Sequence, residues 1–301
     1  QKPYDSVLDL IGWTPMVRLS SVTDGARTPL YAKCEFMNPG GSIKDRIGLA
    51  MLEAAERDGS LKPGGTIVEA TGGNTGLALA MAASIKGYRC ICTMPDKMST
   101  EKAKLLRAFG AEVIITPTAV PPDHPDHYLQ QARSIAAETP GAVMADQFYN
   151  KANPDAHHDT TGLEIWEQSD GRVTHFVASA GTGGTITGVS RYLKAKNPSV
   201  RSIGIDPEGS MIAPFFNTGQ MVEGRPYKVE GVGHDKIPGA LDLDTVDEYR
   251  TGADGAAFRM ARRLARAEGL VVGGASGSLV NAATHATKAV DHPVALLITP
   301  H

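Results

Sequence analysis

The chain has 301 residues, with 30 Lys and Arg against 33 Asp and Glu, for a formal net charge of −3. That balance offers no field to draw in nucleic acid or an anionic membrane, and no apolar run approaches the ~20 residues of a membrane helix. Apolar residues make up 42% of the chain, enough for sizeable cores, and at ~100–200 residues per domain the length predicts two domains.

The N-terminal residues Gln1-Lys2-Pro3-Tyr4-Asp5 lack the basic-then-apolar pattern of a signal peptide. Three cysteines, Cys34, Cys90 and Cys92, predict buried reduced thiols rather than a disulfide framework or a metal centre. These features together predict a cytoplasmic globular protein.

In chain order, the pattern predicts a helical run after Gly40-Gly41-Ser42, strand Thr66–Glu69, helix Thr75–Lys86, strand Arg89–Thr93, helix Thr100–Phe109 and strand Glu112–Thr116. Helices His127–Glu138 and Thr161–Gln168 follow, then strand His175–Ser179, helix Gly184–Lys196 and strand Arg201–Ile205. The series closes with helix Ala253–Glu268, a strand-like Leu270-Val271-Val272, helix Ser278–Val290 and strand Val294–Ile298. Strand–helix alternation over this length predicts parallel sheets covered on both faces, with active-site residues at the carboxyl edges of the strands. Pro117–His127 reads as a surface loop whose His124 and His127 are solvated, since no third metal ligand is near in sequence. Asn150–Asp155 is the predicted seam between two halves, and Arg259, Arg262, Arg263 and Arg266 form a solvated helix face.

Four segments carry chemistry. Lys44, in Gly40-Gly41-Ser42-Ile43-Lys44-Asp45-Arg46, falls at or near a helix start. The partial positive charge there lowers an amine's affinity for its proton, and a lysine that attacks an aldehyde must first deprotonate. Taken alone, the same pattern describes an ordinary surface lysine. The second segment, Ser179 through Gly188, contains Gly181-Thr182-Gly183-Gly184-Thr185 between a predicted strand and helix. Successive backbone N–H groups and the helix start make such a loop an anion cradle. It lacks the lysine of a nucleotide P-loop and the last glycine of a dinucleotide fold, where Ile186 stands, so it suits a phosphate monoester. A plain tight turn is the alternative.

The third segment, Thr71-Gly72-Gly73-Asn74-Thr75-Gly76, also leaves a strand and enters a helix. Its amides and hydroxyls suit a carboxylate, with Asn74 either a further donor or a helix cap. The fourth, Gly273-Gly274-Ala275-Ser276-Gly277-Ser278, places a hydroxyl where it can meet a neutral ring nitrogen or cap a helix.

These segments, in this order and spacing along essentially the whole chain, resemble the β-family of pyridoxal-phosphate enzymes, fold type II. Within it the chain looks most like the cystathionine β-synthase branch of the cysteine synthase/cystathionine β-synthase family. The segments that carry this finer likeness are Ala32–Phe36, Met94–Ser99, Asp146–Phe148, His158–Thr161, Asp206–Ser210 and Glu230–Pro238. The resemblance implies two open twisted three-layer α/β/α domains, tryptophan synthase β-like, with the cofactor in the cleft between them. Residues 35–150 would form a smaller domain carrying Lys44 and the asparagine loop. Residues 1–34 and 151–301 would form a larger one carrying the phosphate loop.

The resemblance also implies roles. Lys44 would hold pyridoxal 5'-phosphate as a Schiff base and, once freed, remove the substrate's Cα proton. Asn74 would bind the ring hydroxyl, Gly181, Thr182, Gly183, Gly184 and Thr185 the phosphate, and Ser276 the ring nitrogen. Thr71, Gly72, Thr75 and Gln147 would hold the amino-acid carboxylate, with Gly233 a further substrate contact. The implied reaction is β-replacement, of the carbon–oxygen lyase class, joining L-serine or an O-activated serine to L-homocysteine to give L-cystathionine in transsulfuration. The alternatives are a cysteine synthase using O-acetylserine and sulfide, a serine or threonine dehydratase, and an inactive binding member. Small-molecule amino-acid and thiol substrates and a homodimer are expected, with no metal, nucleic acid or membrane. Haem is not expected either, since the leading residues do not match the haem-binding extension of animal relatives.

Three departures stand out. Gly72 replaces the usual serine of Thr-Ser-Gly-Asn-Thr-Gly, Ala275-Ser276 reverses a common serine–alanine order, and His234 stands where tyrosine is common. The family normally continues past Leu297–His301 through an Asp-Ser-x-Arg-Asn-Tyr segment.

Overall fold

The computed structural model describes residues 3–23, 29–286 and 294–298. Its elements begin with β1 (Met16–Leu19), β2 (Leu30–Cys34), α1 (Lys44–Arg57), β3 (Thr66–Ala70), α2 (Asn74–Lys86), β4 (Arg89–Pro95) and α3 (Thr100–Ala108). They continue with β5 (Glu112–Thr116), α4 (Tyr128–Glu138), β6 (Ala142–Met144), α5 (Ala152–Ala156) and α6 (Leu163–Gln168), the last two joined by a π turn, His157–Gly162. The remainder is β7 (His175–Ser179), α7 (Gly184–Lys196), β8 (Arg201–Pro207), α8 (Ile212–Thr218), β9 (Glu248–Gly252), α9 (Asp254–Glu268), α10 (Gly274–Ala286) and β10 (Val294–Ile298).

The chain divides into two compact units. The first takes residues up to Ile11 and Ser42–Ala152, and the second takes Gly12–Gly41 and the chain from Asn153 onward. Expected boundaries at 34/35 and 150/151 compare with 41/42 and 152/153, and the residues up to Ile11, expected in the larger domain, fall in the first unit. The turn after β2 stays with the second unit because polar bonds tie it there. Thr14 Oγ1 donates to Glu35 Oε1 at 2.7 Å, Asn38 Nδ2 to Glu35 Oε2 at 2.9 Å, and the Gly12 N–H to Asn38 Oδ1 at 2.9 Å.

In the first unit the sheet order is β5-β4-β3-β6, all parallel. Every residue of β3, Thr-Ile-Val-Glu-Ala, is buried, as expected of a parallel strand covered on both faces. Side chains alternate along a strand. Val68 and Ala70 pack with Ile91 against Ala132, Leu129 and Ile135 of α4, which sends Ile67 and Glu69 to the opposite face, beneath α2. That helix is apolar nearly all round and buried from Thr75 to Ala83, because α1 covers its outer side. A Cβ on Gly48 of α1 would stand 2.5 Å from the Ala78 Cβ of α2. Each residue lies one turn past its helix start, so both starts lie ~6 Å along their axes from this contact.

In the second unit the order is β1-β2-β10-β7-β8-β9, with β1 antiparallel to β2 and the rest parallel. Helices α7, α8 and α10 lie against this sheet, and α9 packs on α10 so closely that a Cβ on Gly277 would meet the Ala257 carbonyl oxygen at 2.0 Å. Among the described residues no helix is long and apolar enough to cross a membrane, and no group of three metal-ligating side chains forms.

Most predicted strands and helices are present, with ends displaced by a residue or two. One strand is corrected. Leu270-Val271-Val272 is not a strand, and Val271 is 79% exposed. The Leu270 N–H instead closes α9 by donating to the Leu264 carbonyl, after Gly269 turns left-handed at φ 72°. The last helix accordingly begins at Gly274, four residues before its predicted start, and residues 287–290 of that prediction lie outside the described residues, as do Gln1, Lys2 and Thr299–His301. The cysteines are all buried and free, with Cys90 and Cys92 Sγ 3.9 Å apart on one face of β4. His124 is exposed, while the half-buried His127 caps α4 through Nδ1.

In the second unit Lys33, near the end of β2, is a fully inaccessible charge. Its three donors go to the Thr14 carbonyl at 2.6 Å, Glu164 Oε2 at 2.6 Å and Gln168 Oε1 at 2.9 Å. Removing one member of a buried ion pair strands the other. Lys33→Met is expected to lower unfolding stability by ~3–5 kcal/mol in urea titrations, and Lys33→Met/Glu164→Leu to recover much of it.

Candidate active site

The first unit brings six of the predicted site residues onto the carboxyl edge of its sheet or the adjoining helix starts. Lys44 is the first residue of α1 and half-buried, with its backbone N–H on Ser42 Oγ at 3.1 Å. Thr71, Gly72 and Gln147 are buried, and half-buried Asn74 opens α2. Asn74 is not the helix cap. That position belongs to Gly73, which has no side chain to offer, so the Asn74 amide is a first-turn group rather than a cap. Thr71 Oγ1 accepts from the Gly73 N–H at 3.1 Å and sets the turn. Thr75 Oγ1 donates to Gln147 Oε1 at 2.6 Å, which joins the loop after β3 to the loop after β6. At Gly72, a Cβ would stand 3.0 Å from Met98 Cγ and 3.1 Å from Met94 Cε, so two methionines fill the room that a serine would need.

The second unit holds the glycine loop between β7 and the start of α7. Its shape depends on missing side chains. A Cβ on Gly181 would meet the Gly231 carbonyl oxygen at 2.6 Å, one on Gly183 the Leu241 Cβ at 2.3 Å, and one on Gly184 the Asn153 Oδ1 at 1.9 Å. Gly183 is also left-handed, at φ 84°, a conformation that glycine adopts without strain. Two threonines are clamped from outside the loop. Thr182 Oγ1 accepts from Asn153 Nδ2 at 2.9 Å, and Thr185 Oγ1 lies 3.1 Å from His157 Nε2. His157, 1% exposed, has its other ring nitrogen 2.9 Å from Thr161 Oγ1. The Gly233 N–H donates to the Ala180 carbonyl at 2.7 Å, which ties the 231–235 segment to the loop. Ser276 is fully buried as the third residue of α10, so it does not cap that helix.

His234 adjoins this segment. Its backbone exchanges bonds with Ser210, the His234 N–H reaching Ser210 Oγ at 2.9 Å and Ser210 Oγ reaching the His234 carbonyl at 3.1 Å. Burial pushes the imidazole below its ordinary range, against the opposing pull of Asp235. Its Nδ1 lies 2.7 Å from Asp235 Oδ1 and within 3.0–3.2 Å of the Asp235 and Lys236 backbone nitrogens.

Asn153, His157 and Glu69 escape the sequence reading. Asn153 and His157 lie in a helical segment with no motif of their own. Glu69 had a signal in the text, a lone carboxylate in an otherwise apolar strand. It is 1% exposed, and burial pushes its carboxyl up to about 8.

The residues present fit pyridoxal phosphate: a half-buried amine opening a helix, and a glycine loop at another helix start that any Cβ would obstruct. Comparison decides the family. A family model described as pyridoxal-phosphate dependent enzyme matches residues 7–299. The chain belongs to this family. It is an enzyme whose cofactor is pyridoxal phosphate, built on the fold type II architecture. A cystathionine beta-synthase of Oryctolagus cuniculus is 50% identical over 289 residues, 95% of this chain and 52% of the relative. One of Apis mellifera is 44% identical over 99% of this chain and 59% of the relative. The chain thus spans little more than half the length of these curated relatives. A crystal structure of O-ureido-L-serine synthase superposes with a TM-score of 0.89 at 37% identity, covering 99% of this chain and 92% of that one.

Because Gly184 and Asn153 cannot both keep their places once a Cβ is added, Gly184→Ala is expected to cost ~1–3 kcal/mol. Removing the Asn153 side chain relieves the overlap, so Gly184→Ala/Asn153→Ala should cost less than the sum of the single changes in thermal melts.

Proposed function

We propose that this enzyme performs β-replacement, joining L-serine or an O-activated serine to L-homocysteine to give L-cystathionine. The observation that carries the reading is the 44–50% identity to cystathionine beta-synthases over 95–99% of this chain, together with Lys44 opening α1. The name of the O-ureido-L-serine synthase adds that a relative of this fold forms an O-substituted serine.

In this reading, when pyridoxal phosphate is bound it supplies a sink for charge developing at the substrate's Cα. Lys44 Nζ would anchor the cofactor and take the Cα proton of the amino acid. The β-oxygen leaves with the thiol's proton, as water when the donor is serine, and the sulfur bonds Cβ in its place. Lys44 then returns the proton to Cα. Gly181 through Thr185 grip the phosphate with backbone N–H groups and hydroxyls, while Asn74 donates to the ring hydroxyl and Ser276 meets the ring nitrogen. A hydroxyl there leaves that nitrogen unprotonated, which favours loss of a β-substituent over reactions needing a full carbanion sink. Thr71, Gly72, Thr75 and Gln147 receive the α-carboxylate. The Thr75–Gln147 bond turns the Gln147 carbonyl toward the threonine. Gly233 borders the thiol substrate's side. A homodimer acting in the cytoplasm belongs to the same proposal and rests on resemblance.

Lys44→Ala is expected to abolish the visible absorbance of the bound cofactor together with turnover. The deciding assay pairs serine and O-acetylserine with homocysteine and sulfide in all combinations. Cystathionine should be the fastest product, and faster cysteine formation from O-acetylserine and sulfide would replace the proposed substrates.

A further inference from the structure

Glu69 is a buried titratable group to which the proposed chemistry gives no part. It stands at the carboxyl end of β3, two residues before Thr71. Its Oε1 accepts from the Ala70 N–H at 3.1 Å and its Oε2 from the Gln147 N–H at 3.3 Å. The carboxyl also takes a hydrogen bond from the Gln147 side chain. Gln147 in turn accepts from Thr75 through Oε1. The Gln147 amide is therefore held from two sides, by Thr75 on α2 and by Glu69 on the strand beneath it. Asp146, just before Gln147, has left-handed backbone at φ 49°, so the chain follows an unusual course at the point where the carboxyl holds it.

We infer that Glu69 is a positioning residue, whose carboxyl fixes the backbone and amide of Gln147, and through it Thr75, as the seat for the substrate's α-carboxylate. The inference rests on the proposed role of Thr71, Thr75 and Gln147 in holding that carboxylate.

The surroundings set the charge at which Glu69 works. On β4 its register partner is Cys92, a buried thiol pushed up by its hydrogen bond to Cys90, by burial and by Glu69 itself. Asp146 adds like charge, and burial raises its own carboxyl too. On α2 the only ionisable side chain is Lys86, at the far end, and β6 has none. Tyr128, Arg133 and Glu138 of α4 belong to the helix on the opposite face of the sheet, and Arg89 is at the exposed start of β4. No cation on these elements therefore faces the carboxyl, which burial has already pushed up to about 8. Below that value Glu69 is neutral and tolerates an anionic substrate group nearby. Above it, a second negative charge would stand against the α-carboxylate.

The test is L-serine titrated into the pyridoxal-phosphate-loaded protein, followed by the change in visible absorbance, at pH 7 and pH 9. Ionisation of the substrate's own amine is common to all variants and cancels in ratios. Glu69→Gln keeps an acceptor for Gln147 and cannot ionise, so the wild-type to Glu69→Gln ratio of dissociation constants should rise about three- to tenfold from pH 7 to pH 9. Glu69→Ala should weaken binding about tenfold already at pH 7, with Glu69→Gln restoring it. Thermal melts report folding of each variant. If Glu69→Ala does not fold, the Glu69→Gln ratio decides alone. A ratio flat with pH, while Thr75→Ala and Gln147→Ala weaken serine binding, overturns the role of Glu69 and leaves the carboxylate seat standing. Serine binding as tight in Thr75→Ala and Gln147→Ala as in wild type overturns the seat and the inference together.

Discussion

An anion held without lysine, arginine or metal relies on backbone N–H groups and neutral side-chain donors, and backbone becomes accessible only where side chains are missing. That constraint governs the loop between β7 and α7. Gly181, Gly183 and Gly184 leave no side chain in the way, and the space each Cβ would occupy is taken by Gly231, Leu241 and Asn153 of the surrounding chain. The neighbours keep the loop from collapsing, and the loop keeps the neighbours close. Asn153 and His157 complete the frame by fixing Thr182 and Thr185. The loop is therefore shaped by its own unit, and any anion it takes meets N–H groups already oriented by the start of α7.

The same economy of side chains works differently in the first unit. Gly48 lets α1 sit against Ala78 of α2, and this close approach sets how Lys44 and Asn74 are presented, each at the head of its helix. The apolar sequence of α2 follows from being covered on both sides, by the sheet and by α1. Beneath it, Glu69 is the exception to an apolar strand. A carboxyl in such a place is costly when charged, and the cost falls where the chain must hold Gln147 in an uncommon backbone turn.

The parallel-sheet architecture was legible because β3, β4, β5, β7, β8 and β10 are short β-branched runs between glycine-rich turns, and the helices between them are amphipathic or uniformly apolar. The glycine loops were legible because close backbone approach admits almost no other residue. What stayed hidden depends on distant partners. Short strands such as β6, three residues long, carry too little pattern to register. Leu270-Val271-Val272 has the composition of a strand, yet the closing bond of α9 claims the Leu270 N–H first. Asn153 and His157 act on residues 28 or 29 positions away, and local spacing carries no trace of that. Helix capping was a sound alternative for Asn74 and Ser276, but the cap of α2 falls on Gly73 and α10 begins two residues before Ser276.

The departure at Gly72 is best understood through its neighbours. A serine in this position would press Met94 and Met98, and both methionines lie in the segment that likens the chain to its cystathionine-forming relatives. The missing hydroxyl and the bulky thioethers therefore belong to one packing solution. Methionine is unbranched and yields easily, so the space above Gly72 is apolar and adaptable where a hydroxyl would have made it polar and fixed. On the proposed reading, the carboxylate seat then relies more heavily on Thr71, Thr75 and Gln147. The Gln147 amide is the member of that set held by bonds from two separate elements. On that reading, loss of one donor in the turn and anchoring of Gln147 by Thr75 and Glu69 are complementary features of one seat.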